Sequence, residues 1–367
     1  MTYRRQRVAS RARYVAGALV AGVLAVPSAA CTGDGAATTD SFTVGLLLPS
    51  RVVPRWENSD KPLIEQRIKQ LCPHCDVAYA NANDDSTAQR QQMIAMITKG
   101  ARVIVLGAAD NRALRSTVQE AHDAGVPVVA YDRLADGPVS GYVSFDGVQV
   151  GTLQGRVLLK AMPAPTKNRT IVMMNGDPTS TNAATYKRAA LSVLRGKVRI
   201  GRSYDTSGWS TDNANANMSA AISALGPGRI DGVLAANDAM AAGVISALKT
   251  AHVRRLPPVT GQDADLDAVQ RIVDGEQSMT VYKSFRAEAE AAAAMAVALG
   301  RGEKLHTIAT TTTDSPTTRH IPSVLLNPVA VTTANIKQTL VKDGVYTIAQ
   351  ICTPQLRAAC AKAGLTR

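Results

Sequence analysis

The chain has 367 residues, 46% hydrophobic and 19% charged, a globular composition at a length that usually splits into two cores. Its formal charge of +12 falls to +7 without Arg4, Arg5, Arg7, Arg11 and Arg13, which crowd the first segment. No Lys/Arg run with interleaved aromatics follows, so the basic balance does not mark a nucleic-acid binder.

The first predicted element is an export address. The Arg-rich start leads into an apolar run from Tyr14 to Val26, too short to span a membrane, then Pro27, small residues and Cys31. That order of charged, apolar and small-residue regions predicts a signal peptide over residues 1–30. The polar stretch TGDGAATTDS behind Cys31 buries little and reads as a flexible tether over 31–41. Cys31 at this boundary looks like the lipid-bearing cysteine of a bacterial lipoprotein, with Ser28 where that pattern prefers Leu. Cleavage after Ala30, leaving a free cysteine, is the alternative. The chain is therefore expected to be exported as a monomer, either periplasmic or held by lipid on the outer face of the cytoplasmic membrane.

The remaining cysteines fall into two local pairs, Cys72 with Cys75 and Cys352 with Cys360, and export places them where disulfides persist. Cys72-Pro73-His74-Cys75 also has the spacing of a redox motif or half a zinc site. It follows a helix rather than opening one, where a helix dipole would stabilise a thiolate, so a structural staple is the reading adopted.

From Phe42 onward short β-branched runs alternate with helix-length amphipathic stretches, the pattern of an α/β fold with helices on both faces of parallel sheets. The strands FTVGLLL, DVAYA, RVIVLG and VPVVAY form a first series, with helices near Pro62 to Leu71, Thr87 to Lys99 and Arg112 to Ala124. Val148 to Ala161 opens a second series with strands TIVMMNG, VRIGRSY, GVLAAN, PPVTG and SMTVYK. The Ala-rich helix Arg286 to Leu299 and the segment SVLLNPVAVT return to complete these two units. The fold expected is two doubly wound parallel-sheet lobes joined by a multi-strand hinge. The boundaries predicted are 42–146 with 284–315 for the first lobe, 147–283 with 316–345 for the second, and a disulfide-bearing tail over 346–367.

In open α/β sheets ligands bind beyond the carboxyl ends of the strands, so the residues that follow each apolar run are the informative ones. Here VPVVAY ends in Asp132-Arg133, GVLAA in Asn237-Asp238, PPVTG in Gln262-Asp263-Ala264-Asp265, MTVY in Lys283, and IVMMNG in a polar loop reaching Asn182. Any one of these reads equally as a helix N-cap, and Asp238 and Asp265 are taken as such caps. Their repetition at tips in both series points to a site. Aromatics add a second signal, because a chain with 2 Trp and 3 Phe places both tryptophans in loops, Trp56 in Pro54-Arg55-Trp56 and Trp209 in Ser207-Gly208-Trp209-Ser210. Loop packing is the bland account of them. The functional one is that flat rings pack on a sugar's C–H face while the polar tips hydrogen-bond its hydroxyls.

The tips also carry a resemblance. YDR followed by YVSFD, then GDP…NAA, GW…N, AAND, GQDAD and TVYK are similar, in order and spacing, to the D-xylose-binding proteins within the pentose/hexose group of periplasmic binding proteins. The likeness runs from about Phe42 to about Thr347, and the GQDADL…MTVYK block is its most specific part. It implies a type I periplasmic-binding-protein fold and a sugar-binding partner of an ABC import permease. It implies sugar contacts from Arg55, Trp56, Asp132, Arg133, Asn182, Trp209, Asn237, Asp263 and Lys283, with no catalytic residue, cofactor or metal. The family usually has an acidic residue two positions before the Asn of its fourth motif. Ser180 stands there in this chain, which makes it a selectivity position.

Enzyme and repressor readings are weighed against this. Asp132 and Asp263 form a conceivable glycosidase pair, but Arg133 and Lys283 beside them hold carboxylates ionised, which suits hydroxyl acceptance better than acid catalysis. The five histidines are scattered without metal-ligand spacing, and no G-x-S-x-G elbow is present. A sugar-responsive repressor shares this two-lobe body but carries a helix-turn-helix where this chain has an export signal. A sensor that presents ligand to a membrane receptor remains the alternative to transport.

Overall fold

Strands alternate with helices throughout residues 41–366, which are those the computed structural model describes. The predicted signal peptide, Cys31 and all but the last residue of the tether lie outside the described residues. In chain order the strands are β1 (Thr43–Leu48), β2 (Asp76–Asn81), β3 (Val103–Leu106), β4 (Val128–Tyr131), β5 (Gly141–Phe145) and β6 (Thr170–Asn175). They continue with β7 (Arg199–Asp205), β8 (Gly232–Ala235), β9 (Thr280–Tyr282), β10 (Thr311–Thr313), β11 (Ile321–Leu326) and β12 (Val329–Val331). The main helices are α1 (Lys61–Leu71), α2 (Ser86–Thr98), α3 (Arg115–Asp123), α4 (Gly147–Ala161), α5 (Thr181–Leu194), α6 (Thr211–Leu225), α7 (Asp238–Thr250), α8 (Leu266–Asp274) and α9 (Phe285–Gly300).

Seven strands make the first sheet, in the order β10-β11-β5-β4-β3-β1-β2, parallel except where β10 meets β11. β3 and β4 are buried on both faces, as their unbroken apolar runs require of central parallel strands. The two-residue period divides β3 between two cores. Val103 and Val105 pack with Ala289, Ala292 and Ala293 of α9, whereas Ile104 and Leu106 pack with Met93 of α2 and Val118 of α3. The second sheet is β7-β6-β8, also parallel, extended by an isolated bridge from Val233 to Val259, and β9 pairs antiparallel with β12.

The chain passes between the sheet regions three times, at Asp146, at Lys283–Ser284 and at Asn327–Pro328. This is the multi-strand hinge, and the described region closes around it as one compact unit. Three expectations change. The segment SVLLNPVAVT splits, because β11 pairs in parallel with β5 of the first sheet while β12 returns to the second, so 316–326 lies with the first lobe and not the second. PPVTG contributes only the bridge at Val259. β5, which had not been read as a strand, is fully buried beside β4.

Both expected disulfides form, Cys72–Cys75 in the turn from α1 to β2 and Cys352–Cys360 in the tail. Cys72 and Cys75 are wholly buried, which suits a staple. In the tail, Ile351, Cys360 and Leu365 pack with Val269, Ile272 and Val273 of α8. Replacing Cys352 and Cys360 together with serine is expected to lower stability by about 2–3 kcal/mol, the loop-closure value for so short a ring. Urea unfolding would detect this, and an unchanged midpoint would show the tail to be held by packing alone.

Candidate functional site

Each wall residue is placed by the end of an element. Past β1 the chain turns at Arg55 and Trp56, which open the helical turn leading into α1, and both are buried. Asp132 and Arg133 follow β4. Asp132 has φ +58°, a left-handed value that a non-glycine residue adopts rarely. Its backbone is pinned there: its carbonyl accepts hydrogen bonds from Tyr142 Oη at 3.1 Å and Ser144 Oγ at 2.8 Å. From the second lobe, Asn182 lies on the first turn of α5, and Trp209 in the turn Ser207–Trp209 with φ +53°. Asp263 follows Val259 with φ +98°, and Lys283 follows β9 at the hinge. Left-handed backbone at three cavity-lining positions is the kind of strain that folds hold at functional sites.

All nine residues read from the strand tips and loops line one small cavity, with about 20 Å³ free at its centre, together with Val53, Tyr186 and Gln262. Tyr186 went unread in the sequence although it stands four residues after Asn182 on the same face of α5. Close packing sets its place, since a Cβ on Gly151 of α4 would lie 2.2 Å from the Tyr186 carbonyl oxygen. Gln262 had been passed over beside Asp263. Ser180 does not line the cavity; it precedes α5 with its Oγ buried and without a hydrogen-bond partner among the described residues. The cap of α7 is Asn237, whose Oδ1 accepts from Met240 N at 2.9 Å, and not Asp238. Asp238 instead turns inward to Gln277 and Thr280. Asp265 precedes α8 without a side-chain cap.

The electrostatics are those of a pre-set acceptor array. Asp132 Oδ2 accepts from Arg55 Nη1 at 2.9 Å and Lys283 Nζ at 3.5 Å, and Oδ1 accepts from Asn182 Nδ2 at 2.8 Å. Lys283 Nζ also lies 3.0 Å from Asp263 Oδ1. Burial alone would raise the Asp132 carboxyl, but Lys283, Arg55 and Arg133 outweigh it and hold it at about 2. Burial likewise opposes the charge on Lys283, and Asp132 with Asp263 overcomes that and pushes its ammonium up. Asp132 is therefore ionised at neutral pH and accepts hydrogen bonds without giving a proton.

Several wall groups are left over. Trp56 Nε1, Trp209 Nε1 and Gln262 Oε1 are buried without a hydrogen-bond partner among the described residues, a state that native interiors rarely leave unanswered. The indoles are edge-packed, Trp56 on Tyr131 and Trp209 on Tyr186. Flat apolar faces and unanswered donors and acceptors thus surround one small volume. Among the described residues no group of three or more His, Cys, Asp or Glu is placed to hold a metal ion, and no helix is long and apolar enough to cross a membrane.

Two doubly wound sheets, three crossovers and a polar chamber fed from both sides define a two-lobed ligand-binding protein. The chain belongs to the periplasmic binding protein family: the family model described as "Periplasmic binding protein domain" matches residues 44–304. The chain is similar to the "D-xylose-binding periplasmic protein" of Escherichia coli (strain K12), 33% identical over 317 residues that cover 85% of this chain and 93% of the relative. It is 32% identical over 332 residues to the "Multiple sugar-binding periplasmic receptor ChvE" of Rhizobium radiobacter, again covering 85% and 93%. A solved ABC transporter solute binding protein from Clostridium phytofermentans with bound β-D-glucose superposes with a TM-score of 0.78 at 30% identity, covering 84% of this chain and 99% of that one. The resemblance read from the strand tips holds, and membership makes this an extracytoplasmic binding protein rather than an enzyme.

Proposed function

We propose that this chain captures one monosaccharide, D-xylose foremost, by closing its lobes and delivers it to an ABC import permease. The observation that carries the reading is the single cavity in which two indoles and the polar groups of Asp132, Asn237, Asp263 and Lys283 converge. A hydroxyl-rich ring needs both kinds of surface at once, because each buried hydroxyl left without a partner costs about 1–3 kcal/mol. Arg55, Trp56, Arg133, Asn182 and Trp209 complete the set of contacts assigned to the sugar. Binding energy shifts a hinge equilibrium toward the closed form, which the permease reads. Lipid on Cys31 keeps the monomer at the outer face of the membrane.

The named relatives support a monosaccharide and spread over its identity, with D-xylose, multiple sugars and β-D-glucose all represented. Ser180 stands outside the cavity lining one residue before α5, so it acts on that choice only through the placement of Asn182 two residues on. Calorimetric titration with xylose, glucose, arabinose, ribose and galactose is expected to give a Kd in the micromolar range for at least one, roughly −8 kcal/mol. Silence with all five would overturn the proposal.

A further inference from the structure

Behind the cavity wall lies a charge cluster that the binding reading leaves unused. Arg55 donates from Nε to Asp60 Oδ2 at 2.7 Å, and from Nη2 to Asp60 Oδ1 and to Glu288 Oε2, both at 2.8 Å. Its Nη1 donates to Asp132 Oδ2 at 2.9 Å and stands 3.9 Å from Asp263 Oδ1 of the other lobe. Asp60 and Glu288 are completely buried, and neither lines the cavity. The Tyr131 hydroxyl donates to Asp60, and the guanidinium is held between the rings of Trp56 at 4.5 Å and Phe285 at 4.2 Å.

Stability gives little reason for this arrangement, since buried ion pairs are often no better than apolar packing of the same volume. One carboxylate would balance one guanidinium, yet three acidic side chains hydrogen-bond to it, and burial pushes the Glu288 carboxyl well above the usual range. What the extra two accomplish is geometric. Asp60 occupies the Nε–Nη2 edge in bidentate fashion and Glu288 takes the remaining Nη2 hydrogen, so the planar fork has one orientation left and its Nη1 end points at the cavity wall. Glu288 sits in the first turn of α9, just after the crossover that carries Lys283, which ties the clamp to the hinge.

We infer that Asp60 and Glu288 are positioning residues for ligand binding: they fix Arg55, which in turn orients the Asp132 carboxylate in one lobe and faces Asp263 in the other. The affinity part of the test rests on the sugar-binding reading, and the spectroscopic part does not.

The chain has two tryptophans, so in a Trp209→Phe background Trp56 is the sole indole and its emission reports the guanidinium stacked on it. Glu288→Ala is expected to change Trp56 emission without sugar present and, in the otherwise native chain, to weaken sugar affinity at least about tenfold. Glu288→Gln keeps an oxygen that accepts from Nη2, and is expected to recover affinity to within about threefold of the native chain. Should Glu288→Ala fail to fold, Asp60→Asn serves, because its amide satisfies only one of the two Arg55 bonds. A Glu288→Ala protein with a lower melting temperature but native Trp56 emission and native affinity would reduce both residues to structural filler and overturn the inference. So would a Glu288→Gln protein as weak as Glu288→Ala. If the native chain binds no sugar, the proposed function fails, and the Trp56 emission alone decides the clamp.

Discussion

Asp132→Ala is expected to destabilise the protein by about 4 kcal/mol and to abolish measurable sugar binding. The carboxylate is buried and shared by Arg55, Lys283 and Asn182, so its removal strips one of the two interlobe bonds from Asn182, sparing that to the Asp132 carbonyl, and leaves two buried cations with fewer anions. Breaking a buried pair from one side typically costs about 3–5 kcal/mol. The lower end applies, since Arg55 keeps Asp60 and Glu288, and Lys283 keeps Asp263. Alanine must also adopt the left-handed backbone at this position, which adds roughly 1 kcal/mol.

The same carboxylate sets an acid limit. Its folded pKa, about 2, lies below the unfolded value near 3.9, so its contribution is whole above that value and is lost as pH falls through the folded one. About 2–3 kcal/mol should therefore disappear between roughly pH 4 and pH 2 in the native chain and not in Asp132→Ala. Urea unfolding at pH 6, 4 and 2.5 measures both effects. Equal stability of the two proteins at pH 6, or parallel losses of stability below pH 4, would show that the cations around Asp132 are not what holds it.

How much of this was legible in the sequence differs by kind of residue. Strand tips could be read because an apolar run ends visibly and its next residue has one place to go, beyond the sheet; Asp132, Asn237, Asp263 and Lys283 were found that way. Tyr186 follows from Asn182 only once both are placed on one helix face. Glu288 was harder. It and Glu290 alternate with alanines in α9, and only the helical repeat that joins 288 to Ala292 and Met295 separates the buried glutamate from its neighbour. The split of SVLLNPVAVT between sheets was beyond local pattern, because both halves read as short apolar strands and the difference lies in which existing edge each one meets. Asp60 stood no better, since its burial is a consequence of Arg55 and Tyr131 arriving from elsewhere.

Gly176 was not singled out at all, yet its replacement by alanine is expected to weaken sugar binding by about a hundredfold or more, roughly 2.7 kcal/mol. A Cβ there would lie 2.1, 2.3 and 2.5 Å from Cη2, Cζ3 and Cζ2 of Trp209, far inside any real contact. Either the indole or the backbone of the β6 tip must move. The indole is confined by Tyr186, whose ring meets it edge-on at 6.4 Å, and by a left-handed backbone at its own Cα. Its open direction is the cavity it lines, where it would occupy the space assigned to the ligand. Gly228→Ala, with nothing within 4 Å of the added Cβ, is the matched control and should bind as the native chain does. In a Trp209→Phe background the clashing outer carbons are gone, and Gly176→Ala is expected to cost less than about threefold there, a coupling that a double-mutant cycle isolates. An undiminished hundredfold loss in that background would place the damage in the β6 backbone instead of the indole.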